Sequence, residues 1–521
     1  MAGSPRLETK DFLQTLNYTG KANAQSRHYY NRPRLRVSRR SAIPKQSPNP
    51  LWKFLLPIFG VWVLLYGSYA LSRPPLPDGS ATIHAEIARE MLSRNDWSAA
   101  HVNGLPVASS SRPLDLSIAV SYKLFGVSDW AARLPVALSV LGLAFIAYFL
   151  GRSLFATNAA GLYAALMILT WPGTFVATRD LNSVPFLCVE TALIAVVLWQ
   201  LLAAKKLAGA PGIVVAAMAC LLVLLTDSWA AMAVPLAIAI ACWIARRSRP
   251  PARLVQWPLI AWAAAACLFG GLLEARPRNP LTWIGPVPPL ALLIGGWLAG
   301  KETFAMSAKG RRVGYGIFAV GILVAAASIL LAILYPLGFP FYRSSVLVTT
   351  PASRIPYFIL AAALIAGLIG NLIFRLRNRA RIANCFLAGM LAGITVAIQA
   401  ARVIASPFHS SQILAEAIRP ELDPTDIVAV DGRYSDASSL AFYLERPISI
   451  AVPAPANLSP TALPSWRGLV VVNQVWSGPG RVFLWTSANR PLAVPGESFV
   501  VARSGGKEIL SNRPNAGGAT F

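Results

Sequence analysis

Long apolar runs separated by short polar connections dominate this sequence and leave few folds open to it. The first run extends from Trp52 to Leu71, which as a helix is long enough to cross the roughly 30 Å hydrocarbon core of a bilayer. Ten further runs follow before residue 403. The predicted spans are 52–71, 132–151, 159–176, 183–203, 211–226, 229–245, 256–273, 282–299, 314–336, 353–375 and 382–402. We therefore predict a polytopic α-helical membrane protein with about 11 to 13 transmembrane helices.

Composition and charge agree with this fold and predict its orientation. Of the 521 residues, 55% are hydrophobic and 13% are charged, whereas soluble domains carry about a quarter of charged residues. The formal net charge of +25 would indicate a nucleic-acid partner in a soluble chain. Here, the connections after even-numbered spans carry fifteen Lys and Arg residues, and the opposite connections between later spans carry five. By the positive-inside rule, the N-terminus is predicted to be cytoplasmic, and no nucleic-acid partner is expected.

Three regions follow from this topology. Residues 1–50 are polar and basic and are predicted to form a disordered cytoplasmic segment. Residues 51–404 form the predicted transmembrane domain, with an extracytoplasmic loop over 72–131. An odd number of spans then places residues 405–521 outside the cytoplasm as well.

Both extracytoplasmic parts have recognisable patterns. In the loop, ATIHAEIAREMLSR (81–94) has helical periodicity, with Glu86 and its charged neighbours on the side opposite the apolar residues, and it predicts a helix on the membrane surface. LDLSIAVSYKLFGV (114–127) is predicted to lie there too. The tail is predicted to be a soluble α/β domain. Its helices are SSQILAEAIR and SSLAFYLERP, and its strands lie in DIVAVDGRY, PISIAVP, GLVVVNQVW, GRVFLWT and ESFVVARS.

The cysteines give no indication of a metal or disulfide framework. All five lie in apolar runs and are predicted to be small buried hydrophobic residues. We predict no metal and no cofactor.

Polar residues at the extracytoplasmic ends of the spans are the candidate functional groups. Carboxylates could activate a hydroxyl group, and arginines could neutralise a phosphate. Each candidate has a structural alternative: Asp78 as a turn residue, His84 as a packing residue, Arg179 and Asp180 as a local ion pair, and Asp227 as a helix cap. The candidates are Asp78, His84, Glu86, Arg112, Arg179, Asp180 and Asp227.

Glu190 is a separate candidate because it lies inside the predicted span 183–203. An ionisable residue at membrane depth is energetically costly and marks a functional site by default. A hydrogen bond to a neighbouring helix is the equal alternative.

Several motifs resemble one known family. The matching stretches are HAEIAREMLSRNDW (84–97), HVNGLP (101–106), LFGVSDWAARLPVAL (124–138), DIVAVDGRYSDASSLAFYLERPISI (426–450) and WSGPGRVFLWT (476–486). In this order, they resemble the GT-C glycosyltransferases of family 39, the bacterial relatives of the protein O-mannosyltransferases and of the lipid A aminoarabinose transferase.

The resemblance implies a multi-pass protein of a bacterial inner membrane that transfers a sugar from a polyprenyl-phosphate carrier to an extracytoplasmic acceptor of unknown identity. It also implies catalytic roles for Asp78, Asp180 and His84. Arg112 and Arg179 would bind phosphate, and Glu86 and Asp227 would contact substrate. We expect Asp78, Arg112 and Arg179 to converge on one cavity.

Two other functions stay open from the sequence. The family's Glu-Lys-Pro-Pro element appears here as SRPL (111–114), and its Thr-Lys-Gly element appears as Thr226, Asp227 and Ser228. Such differences favour the alternative of a catalytically inactive relative that binds the lipid carrier or protein partners. A transporter or flippase with Glu190 in its path is the third possibility.

Overall fold

The structure is a computed structural model. It describes residues 51–70, 74–107, 111–200, 259–264, 285–301, 308–334, 354–452, 468–488 and 494–514. The predicted N-terminal segment, the spans 211–226 and 229–245, most of the span 256–273 and Asp227 lie outside these residues.

Apolar helices form the first part of the chain, as the hydrophobic runs predict. Helix α1 covers Trp52–Trp62 and continues as a π-helix to Ala70. The other long helices are α4 (Asp129–Phe155), α5 (Asn158–Thr170), α6 (Pro172–Arg179), α7 (Val184–Trp199), α8 (Val287–Lys301), α9 (Ala308–Leu334), α10 (Ile355–Leu376) and α11 (Ala380–His409).

Three of the described helices are long and apolar enough to cross a membrane: α4, α10 and α11. A fourth candidate is the pair of α5 and α6, which meet at 47°. The sequence predicted one span over 159–176, so the break at Trp171 is a correction. Pro172 explains it, because proline has no N–H to donate and fits the first position of a new helix.

These helices pack around an apolar core, in which the polar atoms of the buried Trp62 and Tyr66 side chains are hydrogen-bonded. Trp62 Nε1 donates to the Ala137 carbonyl at 2.8 Å, and Tyr66 Oη donates to the Leu169 carbonyl at 3.1 Å. Small residues let the helix backbones approach closely. A Cβ on Gly161 would lie 2.2 Å from the Tyr148 carbonyl oxygen, so only glycine fits where α4 and α5 cross.

The loop between α1 and α4 contains helix α2 (Ser80–Arg94), a short hairpin of β1 (His101–Val102) and β2 (Leu105–Pro106), and helix α3 (Arg112–Phe125). The helix predicted over 81–94 is therefore confirmed, and most of the second loop stretch, 114–127, is helical as well. The charged side of α2 is buried, however, with Glu86 and Glu90 4% and 8% exposed. A helix on the membrane surface implies a solvated charged side, and this is wrong: Arg89 donates to the Phe442 carbonyl in the C-terminal part, and Glu90 accepts from the Gly104 N–H in the β1–β2 hairpin.

The C-terminal part contains a six-stranded mixed sheet, which confirms the predicted α/β domain. Its strands are β3 (Ile427–Asp431), β4 (Ser449–Val452), β5 (Leu469–Val471), β6 (Val482–Ser487), β7 (Phe499–Ser504) and β8 (Lys507–Ser511), in the spatial order β5-β4-β3-β6-β8-β7. The first four pair in parallel, and β8 pairs antiparallel with both β6 and β7. The sequence analysis did not predict β8.

Both faces of the sheet are covered, because alternate residues of β3 point to opposite sides. Val428 and Val430 pack towards α12 (Gln412–Ile418) and α13 (Ser438–Leu444), whereas Ala429 packs towards α14 (Val472–Trp476). Helix α11 continues to His409, beyond the boundary predicted at residue 404, and leads directly into this domain.

The prediction that the cysteines are buried holds in part. Cys188 is buried in α7, but Cys385 is exposed on α11, so the prediction is wrong for Cys385. The other three lie outside the described residues.

Candidate functional site

Three arginines meet where α4, α6 and α11 come together. Arg133 lies near the start of α4, Arg179 ends α6, and Arg402 lies near the end of α11. The first two are 0% and 2% exposed. Arg133 Nε donates to the Arg179 backbone carbonyl at 3.5 Å, which places the two arginines side by side.

The Arg133 guanidinium has spare hydrogen-bonding capacity. Its two terminal nitrogens are buried and have no hydrogen-bond partner among the described residues. A buried cation without an anion is strongly unfavourable, because desolvation is not offset by any attraction. Arginine also matches phosphate oxygens through paired N–H groups. The arrangement therefore suits an anionic ligand at Arg133.

The nearby carboxylates are already engaged. Asp180 caps the C-terminal end of α6 and forms an ion pair with Arg402. Asp129 begins α4, and its carboxylate oxygens each accept from Tyr443 Oη at 3.0 Å. Neither carboxylate neutralises Arg133 by direct contact.

Asp78 lies against the end of α11 and is held by four donors. Its backbone N–H donates to the His409 carbonyl at 2.6 Å. Its carboxylate accepts from the Ser439 N–H and hydroxyl at 2.8 and 2.5 Å, from Ser411 Oγ at 3.1 Å and from Lys507 Nζ at 2.7 Å. These contacts join the first loop to the C-terminal domain.

The two predicted acids, Asp78 and Asp180, contact α11 at nearby positions. Asp180 contacts Arg402, and the backbone of Asp78 contacts His409, seven residues further along the helix. Seven residues correspond to about 10 Å along a helix axis. Asp78 and Asp180 thus both contact the last two turns of α11, and Arg179 precedes Asp180 in the chain.

Comparison with known proteins gives the architecture a name. No family model matches the chain. The undecaprenyl phosphate-alpha-4-amino-4-deoxy-L-arabinose arabinosyl transferase of Aeromonas salmonicida is 29% identical over 238 residues, which is 45% of this chain and 42% of that protein. The match thus spans under half of the curated relative's length.

Solved structures extend the likeness to most of the chain. The crystal structure of ArnT from Cupriavidus metallidurans bound to undecaprenyl phosphate has a TM-score of 0.61 and 19% identity, and covers 90% of this chain and 99% of its own. The chain has the ArnT-like GT-C fold. The apo structure of the same ArnT agrees, with a TM-score of 0.59 and 19% identity over 89% and 98% of the two chains. The resemblance inferred from the sequence is confirmed.

Two other predicted residues belong to a separate polar layer of the GT-C fold, between α2 and α3. His84 Nδ1 lies 2.6 Å from Asp115 Oδ1, and both side chains are buried. Arg89 donates to Glu86 Oε1 at 2.6 Å. Burial raises the pKa of the Glu86 carboxyl above its ordinary value, although the Arg89 charge opposes the shift.

The remaining predicted residues are not brought together. Arg112 is exposed and donates to the Ser98 carbonyl at 2.8 Å, and no contact joins it to Asp78 or Arg179 in the described part of the chain. Asp227 lies outside the described residues. Glu190 is buried within α7. Within the described ranges, no group of three or more His, Cys, Asp or Glu side chains could hold a metal ion.

The sequence analysis missed five residues of this candidate site: Asp129, Arg133, Arg402, Tyr443 and Lys507. A signal for Arg133 was available, because it lies inside an otherwise apolar helix, where an ionisable residue suggests function. Lys507 and Tyr443 had no such signal, since they reach the site only through the docking of the C-terminal domain.

Proposed function

We propose that this protein is a membrane glycosyltransferase that moves a sugar from a polyprenyl-phosphate carrier to an extracytoplasmic acceptor. The observation that carries the proposal is the buried Arg133 guanidinium, whose terminal nitrogens lack partners among the described residues, beside Arg179. Two adjacent buried arginines can neutralise a carrier phosphate. The ArnT of similar fold binds undecaprenyl phosphate, which is the carrier that we propose.

The reaction is an exchange of bonds at the anomeric carbon of the sugar. An acceptor hydroxyl oxygen forms a bond to that carbon, and the bond from the carbon to the phosphate oxygen breaks. The electron pair leaves with the polyprenyl phosphate, whose growing negative charge Arg133 and Arg179 stabilise. We assign the acceptor's proton to the Asp180 carboxylate, which is one-third exposed and therefore accessible.

The proposed location follows from this reaction. We place the protein in a bacterial inner membrane, with the N-terminus cytoplasmic and the C-terminal domain extracytoplasmic. The positive charge of the predicted inner connections supports that orientation.

The proposal is tested with the purified full-length chain in lipid nanodiscs. We expect it to bind undecaprenyl phosphate, and to move labelled sugar from undecaprenyl-phosphate sugar to membrane components. Asp180→Asn should slow transfer about 10²- to 10⁴-fold, the usual contribution of a proton-transfer group, while carrier binding changes little. Carrier binding without turnover would refute the transferase and favour the inactive relative.

Asp78 is tested separately, since its contacts with Lys507 and serine suit docking, whereas the family resemblance implies catalysis. We expect Lys507→Gln to lower the free energy of unfolding by about 2 kcal/mol, because it removes one charged hydrogen bond. Asp78→Asn should lower it at least as much, because the amide nitrogen cannot accept from Lys507 or Ser411. The double variant should lose less than the sum, since both act on one pair. Thermal and denaturant unfolding measure these effects.

Arg513→Gln is the matched control, because Arg513 follows β8, is exposed and donates through its guanidinium to the Pro479 backbone carbonyl rather than to a buried carboxylate. Its effect on unfolding should stay below about 1 kcal/mol. Equal losses of sugar transfer in Asp78→Asn and Lys507→Gln would assign Asp78 to docking. A loss at least a hundredfold larger in Asp78→Asn would assign it to the reaction.

A further inference from the structure

Asp129 and Arg133 are spaced as an ion pair but do not form one. Four residues apart on α4, an acid and an arginine lie on the same side of the helix and normally attract each other. The two are close enough for their charges to interact, yet no ion pair joins them within the described residues. Something else must hold the carboxylate away from the guanidinium.

Tyr443 of α13 is that group. Its hydroxyl donates to the Asp129 carboxylate, 3.0 Å from both oxygens, and accepts from the Leu76 backbone N–H at 2.8 Å. Burial and the Asp129 charge raise the pKa of Tyr443 well above its ordinary value, so the phenol keeps its proton. The Leu76 N–H fixes the phenol oxygen, and through it the carboxylate.

We propose that Tyr443 is a positioning residue: by holding Asp129, it keeps the Arg133 guanidinium open to an anionic phosphate. The inference rests on the proposed function, in which that phosphate belongs to the polyprenyl carrier. It also gives the C-terminal domain a defined task, because Tyr443 comes from that domain and acts on a helix about 310 residues earlier in the chain.

The inference depends on competition between the Asp129 carboxylate and a phosphate for the Arg133 guanidinium. If Asp129 turned to Arg133, it would neutralise the guanidinium and occupy the donors that a phosphate needs. A carrier would then have to displace an internal carboxylate, and its apparent affinity would fall in proportion to the fraction of molecules that remain open. Removing the Tyr443 hydroxyl should permit this closure, and removing the Asp129 charge should prevent it.

The experiment measures binding of undecaprenyl phosphate, and separately of inorganic phosphate, to the full-length chain in nanodiscs. Tyr443→Phe should weaken binding at least tenfold. The double variant Tyr443→Phe/Asp129→Asn should restore binding to within about twofold of the original protein, because asparagine carries no charge for Arg133. Asp129→Asn alone should bind at least as well as the original protein.

Tyr434→Phe is the matched control. Tyr434 lies in the same domain with its hydroxyl buried, and no described residue hydrogen-bonds to it, so its removal should leave binding unchanged. Unchanged binding in Tyr443→Phe would overturn the inference. So would a loss that Asp129→Asn does not rescue, since a merely structural phenol would not respond to that charge.

The two probes separate this inference from the proposed function. If the original protein binds inorganic phosphate with the expected response to Tyr443 and Asp129, but does not bind undecaprenyl phosphate, the positioning role stands and the carrier assignment fails. If the lipid binds and is turned over without any response to Tyr443, the positioning role fails and the transferase stands.

Discussion

Replacing Arg133 with methionine should make the protein harder to unfold and, in the same molecule, remove its affinity for undecaprenyl phosphate. The guanidinium is fully buried, and its terminal nitrogens have no described hydrogen-bond partner, so the attraction of Asp129 and the single bond from Nε to the Arg179 carbonyl offset only part of the desolvation cost. Methionine has a similar length and no charge. Replacing buried charged groups with apolar residues of similar volume often stabilises proteins by about 1 to 4 kcal/mol, and we expect a gain in that range.

Binding should change in the opposite direction. Loss of one partner from a buried, hydrogen-bonded charge pair removes about 2 to 5 kcal/mol, so carrier affinity should fall at least about thirtyfold. Thermal unfolding without lipid and carrier titration in nanodiscs measure the two effects. This opposition is expected of a functional group that is retained at a cost to stability.

Arg152→Met is the matched control, because Arg152 lies in the last turn of the same helix and is exposed. It should change neither carrier affinity nor unfolding by more than about 0.5 kcal/mol. A destabilised Arg133→Met protein would contradict the assignment, since it would mean that the guanidinium already has a stabilising internal partner.

The transmembrane helices were predictable because the length and apolar character of each run are enough to identify a helix that can cross a bilayer. The described helices α4, α7 and α10 begin and end within a few residues of the predicted spans. One exception was the break between α5 and α6, where the apolar run continues on both sides of Trp171 and Pro172. A hydropathy pattern records apolar character but not the proline that ends a helix.

The partly wrong prediction for α2 shows that helical periodicity does not reveal which parts of the protein pack against a helix. Its charged side was expected to face solvent, but Arg89 donates to the Phe442 carbonyl and its guanidinium lies over the Phe442 ring. That partner is 353 residues away in sequence. Periodicity identifies a face of a helix, but the surface that covers the face is set by tertiary structure.

The same limit applies to the candidate site. Asp78 and Asp180 could be singled out because they lie at the ends of apolar runs. Their partners Ser439, Lys507 and Arg402 could not, because they approach only after the chain has folded back. The Gly505–Gly506 pair was a usable signal, since consecutive glycines between strand-like runs predict a tight hairpin. It would have revealed β8 and, with it, Lys507.

Gly505→Ala should detach that hairpin from α11. Gly505 has φ +58° and Gly506 has φ +75°, as a two-residue turn between β7 and β8 requires. A Cβ on Gly505 would lie 2.0 Å from the Pro407 carbonyl oxygen and 2.8 Å from Phe408 Cα, both backbone atoms of α11. Because backbone cannot rotate aside, the hairpin must lift, and Lys507 should lose its contact with Asp78.

The neighbouring glycine supplies the comparison that isolates this contact. A Cβ on Gly506 would meet nothing within 4 Å, so Gly506→Ala has only the backbone strain of a positive φ, about 1 to 2 kcal/mol. We expect Gly505→Ala to lower the free energy of unfolding by at least about 3 kcal/mol, since overpacking adds to the same strain. Limited proteolysis should release the C-terminal domain faster from that variant alone. Equal behaviour of the two alanine variants would mean that the hairpin does not press on α11, and that Lys507 reaches Asp78 without it.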